Sequence, residues 1–137
     1  MRTGPALQDA QMQATLTRAD KGTGTARIRI YATARPAQPG AHSDTPICEI
    51  ELAKPCGSVQ GGKITLTASS PGMVMQPGIP RWAEWLATDG ALLMDASVTD
   101  AENGGDFIVG GAATAPGETA PYFMAGAMLV LGTVAFT

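Results

Sequence analysis

Apolar residues near the amino terminus recur at helical spacing. Residues 6–20 lack Gly and Pro and are rich in Ala, Leu, Gln and Met, while Pro5 suits a first helical turn. Lys21 and Gly22 then end the helix. Two apolar stripes result, Met12/Leu16/Ala19 and Ala6/Leu7/Ala10/Ala14. One stripe can cover the domain's own sheet and the other a neighbouring subunit, or the alanines simply favour helix.

After Gly24 the pattern changes to a period of two, which is typical of strands. Residues 25–33 alternate apolar and polar side chains, and a Pro-rich loop at 35–46 leads to a second alternating run over 48–52. A third run follows at 63–68. The outward residues of the first two strands have opposite charge, so we expect an antiparallel pair. In that pair Arg27 and Arg29 would face Glu49 and Glu51.

The tryptophan-bearing segment 81–88 is followed by Asp89-Gly90, a strong hairpin signal, and by a returning strand at 91–98. Trp82 and Trp85 lie on opposite faces of a regular strand. We therefore expect one ring to anchor the core and the other, which we assign to Trp85, to meet a loop or a partner.

The closing run, residues 127–131 and then 134–136, is apolar on both faces, so something must cover each side. Six or seven short strands with one leading helix predict a mainly β chain, a β-sandwich or jelly-roll-like domain. We assign residues 1–22 to a helical segment and 23–137 to the β part of a single domain. The predicted interface residues are Leu7, Met12, Leu16, Trp85, Met128 and Val130.

The composition indicates a surface that other proteins cover, and it argues against nucleic acid and a membrane as partners. Apolar residues make up 45% of the chain and charged residues only 15%, which suits a subunit packed against neighbours. The net charge of -3 offers no positive field to a phosphate backbone, so direct nucleic-acid binding is not expected. Residues 122–136 are too short for a membrane span. Residues 1–9 do not resemble a secretory signal, which predicts cytoplasmic synthesis.

Candidate chemistry is sparse. His42 falls in the Pro-rich loop, where we expect it to be solvated and without a nucleophile. An acidic, Gly-rich stretch at 95–106 has oxygen ligands but not the spacing of a calcium loop. Cys48 and Cys56 lack zinc or redox spacing, and we expect reduced thiols, with a disulfide as the alternative. No catalytic, cofactor-binding or metal-binding residues are predicted.

The order of motifs resembles a known group. It runs from the Leu-x-Asp-Ala-x-Met helix to Ala-Arg-Ile-Arg-Ile-Tyr with Arg35-Pro36, then Glu-Ile-Glu-Leu, the tryptophan strand with Asp89-Gly90, and a closing strand after Ala125-Gly126. Together these are similar to a family of small structural proteins of tailed bacteriophages and prophages. The resemblance implies a non-enzymatic virion protein, a head decoration, collar or tail accessory subunit that binds itself and other virion proteins. The alternative is a β-sandwich that binds glycans or a host surface through an exposed tryptophan.

Overall fold

The computed structural model describes residues 1–2, 4–40, 42–61, 63–132 and 135–136. It confirms a mainly β, sandwich-like fold with one amino-terminal helix. The predicted strand at 134–136 begins outside the described residues, which include only its last two positions. The elements are α1 (Pro5–Ala19), β1 (Arg27–Tyr31), β2 (Cys48–Gln60), β3 (Lys63–Ala68), β4 (Gly72–Met73), β5 (Trp82–Leu86), β6 (Leu92–Thr99), β7 (Phe107–Gly110), β8 (Met128–Leu131) and β9 (Ala135–Phe136).

Helix α1 packs on the sheet with only its second half. Pro5 begins the helix, and Asp20 caps its carboxyl end. Leu16 and Ala19 are buried in the core and Met12 is half-buried against it. The stripe of these three residues therefore covers the domain's own sheet. Residues 4–11 are exposed throughout, so two turns of helix project from the domain without a cover.

The centre of the sheet follows the predicted register. Strands β1 and β2 are antiparallel, with Arg27 opposite Glu51 and Arg29 opposite Glu49. Arg29 Nε lies 2.9 Å from Glu49 Oε2, which makes a half-exposed ion pair. Strand β5 pairs with the other side of β1 and forms the expected hairpin with β6. Because such pairs contribute only a few tenths of a kcal/mol, their main effect is on register.

In the described residues the strand order is β4-β8-β7-β6-β5-β1-β2-β3-β9. The sheet curls, since β4 at one end of this order also contacts β2 through a bridge between Val74 and Cys48. One hydrophobic cluster runs through the interior, from Leu16 of α1 to Leu129 of β8. Strand β7 is parallel to β6, so the acidic stretch between them is not a hairpin loop.

Both tryptophans are completely buried, which corrects the prediction that Trp85 faces a partner. Trp85 belongs to the hydrophobic core, whereas Trp82 lies on the other face of β5. There its ring stacks on Tyr31, with centroids 4.4 Å apart, and the edge of His42 closes over it. Periodicity separated the two faces correctly, but it could not show which one is the core and which is covered by the Pro-rich loop.

Candidate functional site: an exposed methionine face and a buried acidic pair

Strands β4 and β8 form an antiparallel ribbon that continues beyond both strands. Met73 lies directly opposite Met128. Further along, Gly78 and Phe123 exchange two backbone hydrogen bonds of 3.0 and 2.9 Å. The chain therefore forms a two-stranded ribbon here, which includes the predicted closing run at 127–131. The two segments of this edge ribbon are residues 72–78 and 122–130.

Side chains of the edge ribbon alternate between two sides. On the inner side Val74, Phe123 and Leu129 are buried in the core. On the outer side six large apolar or aromatic side chains are between 45% and 69% exposed. Isolated exposed apolar residues are ordinary, but a contiguous group of this kind marks an interaction surface. This group, the methionine face, consists of Met73, Met75, Tyr122, Met124, Met128 and Val130.

The methionine face carries no charge. Residues 69–80 and 119–132 contain no Asp, Glu, Lys or Arg, and four of the chain's seven methionines lie on the face. Burial of these side chains themselves desolvates no charged group, and the nearest charge set by the strand pairing is Glu49, which lies beside Met73 across the bridge between Cys48 and Val74. Methionine side chains are also flexible and polarizable, so they adapt to the shape of a partner. A cavity of about 540 Å³ lies beside Val130, between β8 and β3.

The predicted interface residues fall into three groups. Leu7, Met128 and Val130 are exposed, so contact with a partner stays a prediction for them. Met12 is half-buried against the core. Leu16 and Trp85 are buried inside the domain and cannot contact a partner, which corrects the prediction for both. The cause is the same in each case: an apolar side chain on a regular element is equally suited to its own core and to a neighbour.

A second unusual feature is a pair of buried carboxylates on the side of the sheet away from the core, beneath the Pro-rich loop. Glu84 of β5 lies directly opposite Asp95 of β6, and their side chains are only 7% and 4% exposed. Like charges at such a position repel each other. The Pro-rich loop supplies a partner for each carboxylate. Arg35 Nη2 lies 2.5 Å from Asp95 Oδ1, and His42 Nε2 lies 3.0 Å from Glu84 Oε1.

His42 is not solvated, so that prediction was wrong. Its side chain is 15% exposed, and its Nδ1 accepts the backbone N–H of Asp44 at 3.2 Å. The proton of the neutral ring therefore lies on Nε2, which donates to Glu84. The Nε2 contact thus holds the loop to the sheet, whereas the Nδ1 contact lies within the loop. The signal that sequence reasoning missed was Glu84, an acidic residue in a strand that is otherwise apolar.

Tyr31 completes this buried acidic pair. Its hydroxyl donates to Glu84 Oε1 at 2.6 Å. Burial, together with that hydrogen bond, raises the pKa of the hydroxyl well above its usual value. A cavity of about 320 Å³ lies beside Tyr31, His42 and Glu84. The arrangement closes the Pro-rich loop over Trp82, because opening it would separate Arg35 from Asp95 and His42 from Glu84.

The cysteines are free and completely buried. Both lie in β2, which has an irregularity between Leu52 and Gly57, and the structure holds them as separate thiols with no disulfide between them. Burial raises the pKa of Cys48 to about 11. Burial, followed by the nearby Asp20, raises the pKa of Cys56 to about 12. Both thiols are therefore protonated and unreactive at neutral pH.

The acidic turn after β6 is held by its own hydrogen bonds. Asp100 Oδ1 accepts the backbone N–H of Asn103 at 3.0 Å and its side-chain amide at 2.7 Å. A side-chain hydrogen bond with Thr114 lowers the pKa of Asp100 most, and the bonds with Asn103 lower it further. Across the described part of the chain, three potential metal-ligating side chains do not meet at any point. Nor does any described helix have the length and hydropathy of a membrane span.

Comparisons with protein-family models, with curated proteins and with solved structures gave no significant match for this chain. The functional interpretation therefore depends on the methionine face and on the motif pattern of the sequence.

Proposed function

We propose that the chain is a non-enzymatic structural subunit of a tailed bacteriophage particle. In this proposal it is made in the cytoplasm of the bacterial host and becomes a head decoration, collar or tail accessory subunit. It packs there against copies of itself and against other virion proteins. The motif pattern described above motivates the phage assignment.

The observation that carries the proposal is the methionine face. Six large side chains are exposed together although the domain has a well-packed core of its own. A protein that remained alone in solution would keep about 500 Å² of apolar surface in water here, near the upper end for a monomer. Such a surface is typical of a protein that functions as part of an assembly.

The projecting end of α1 is a second surface suited to assembly. Leu7 is 50% exposed, and residues 4–11 contact no other element enough to bury any of their side chains. Two helical turns that are exposed on all sides are only marginally stable in water, since a helix in a protein gains most of its stability from packing. A neighbouring virion protein would supply that packing.

The alternative, glycan binding through an exposed tryptophan, loses its premise. Trp82 and Trp85 are both 0% exposed, so neither offers a platform on which a sugar ring can stack.

The test is quantitative mass spectrometry of purified phage particles from cells that express a tagged chain. We expect the wild type in a constant ratio to the other virion proteins. Met128→Asp introduces a charge into the methionine face and should lower incorporation by about tenfold or more. Gln60→Asp adds the same charge at the far end of β2 and should be incorporated normally. A chain that accumulates in the lysate but is absent from particles would contradict the proposal.

A further inference from the structure

We propose that the methionine face is a two-fold interface between two copies of this chain. The inference deepens the proposed function, because it names the partner that covers this surface. It rests on the area, the charge and the geometry of the edge ribbon.

The area matches what one side of a stable dimer requires. A large side chain presents on the order of 150 Å² when fully exposed, so six that are about half exposed present about 500 Å². A standard interface buries about 800 Å² per partner, of which some 65% is apolar in homodimers, again about 500 Å². The methionine face alone therefore supplies the apolar part of a complete dimer interface.

The charge distribution also suits a second copy. In a two-fold interface each surface meets itself, so any charge near the axis would face a like charge. Residues 69–80 and 119–132 are uncharged, and Glu49, which neighbours Met73 at the rim of the face, is paired with Arg29. The net charge of -3 on each chain lies elsewhere. Facing methionines can repack against each other because they are flexible.

The geometry places the centre of the face at one pair of residues. Met73 and Met128 are direct partners across the ribbon, and Val130 extends the same row along β8. Gly110 lies opposite Val130 on β7, and a side chain there would meet no atom within 4 Å. That open space next to Val130 leaves room for a side chain of the second copy.

The first experiment measures mass in solution over a protein range of about 1 to 100 µM. The wild type should sediment as a dimer with twice the 14.0 kDa mass of the chain. Met128→Asp should be a monomer, with dimer affinity reduced about tenfold or more. The control is Gln60→Asp, which adds the same charge at an exposed position at the far end of β2, and it should remain a dimer.

Three results would overturn the inference. They are a wild type that is monomeric throughout the range, a Met128→Asp variant that still dimerises, and a Gln60→Asp variant that becomes monomeric together with it. Circular dichroism before and after each substitution checks that the variants are folded.

A second measurement uses the wild type alone, so it does not depend on any variant folding. Peroxide oxidises accessible methionines to sulfoxides. If the dimer forms, oxidation of Met73, Met124 and Met128 should slow as protein concentration rises, whereas exposed Met1 should react equally at every concentration. Protection that requires added virion proteins would overturn the inference in favour of a different partner.

These measurements are independent of particle incorporation. Dimerisation without incorporation would contradict the proposed function and leave the interface standing. Incorporation of a monomeric chain would contradict the interface and support the proposed function.

Discussion

Tyr31→Phe is the sharpest test of the buried acidic pair. The substitution removes one hydroxyl and leaves the ring that stacks on Trp82. Glu84, which is 5% exposed, then loses a 2.6 Å hydrogen bond. Hydrogen bonds to charged groups contribute about 1.5–3 kcal/mol, and we expect a loss of about 2 kcal/mol in the free energy of unfolding.

A change of this size is easily measured. At about 2.1 cal/mol/K per residue, 2 kcal/mol corresponds to a decrease in Tm of about 7 °C for a chain of this length. Urea unfolding followed by tryptophan fluorescence provides an independent value. The control is Tyr122→Phe, which removes an exposed hydroxyl from the other tyrosine of the chain and should change stability by less than about 0.5 kcal/mol.

The same hydroxyl makes a prediction about alkaline pH. Because the pKa of Tyr31 is raised in the folded protein, the folded state favours the neutral phenol. Its contribution to stability is complete below the unfolded pKa of about 10 and is lost as pH rises beyond it. The absorbance of tyrosinate near 295 nm should therefore show a late phase that is missing in Tyr31→Phe. If Tyr31→Phe and Tyr122→Phe unfold at the same temperature, Glu84 does not depend on this bond and the reasoning fails.

Two further predictions concern the core. Gly72→Ala should destabilise the fold by about 1–3 kcal/mol in urea unfolding, because its Cβ would lie 2.5 Å from Cys48 Sγ. Gly110→Ala is the control in the same assay, because its Cβ would meet no atom within 4 Å. The pKa values of about 11 and 12 for Cys48 and Cys56 predict that neither thiol reacts with a thiol reagent at pH 8 unless urea is added. The same pKa values predict that the contribution of the two thiols to stability is complete below pH ~8.5 and is lost as pH rises towards 11–12. Fast labelling of the folded protein at pH 8 would contradict both predictions.

The acidic pair shows why long-range polar contacts were missed. Glu84 and His42 are separated by 42 positions, and neither belongs to a motif. Their contact depends on β5 lying beside β1 and on the Pro-rich loop folding back across both strands. Hydropathy describes one side chain at a time, so it could only interpret a histidine among Gly, Ser and Pro as solvated.

The sequence by itself determined the strands with clear alternation and the pairing that their charges and turns require. Arg27 and Arg29 met Glu49 and Glu51, and Asp89-Gly90 made its hairpin, because these effects act between neighbours in sequence or in register. Only the tertiary structure decided which apolar side was left uncovered. Met73 and Met128 are 55 positions apart and became neighbours when β4 paired with β8. Alternation states that a strand has two sides, but the packing of the whole chain determines which side reaches water.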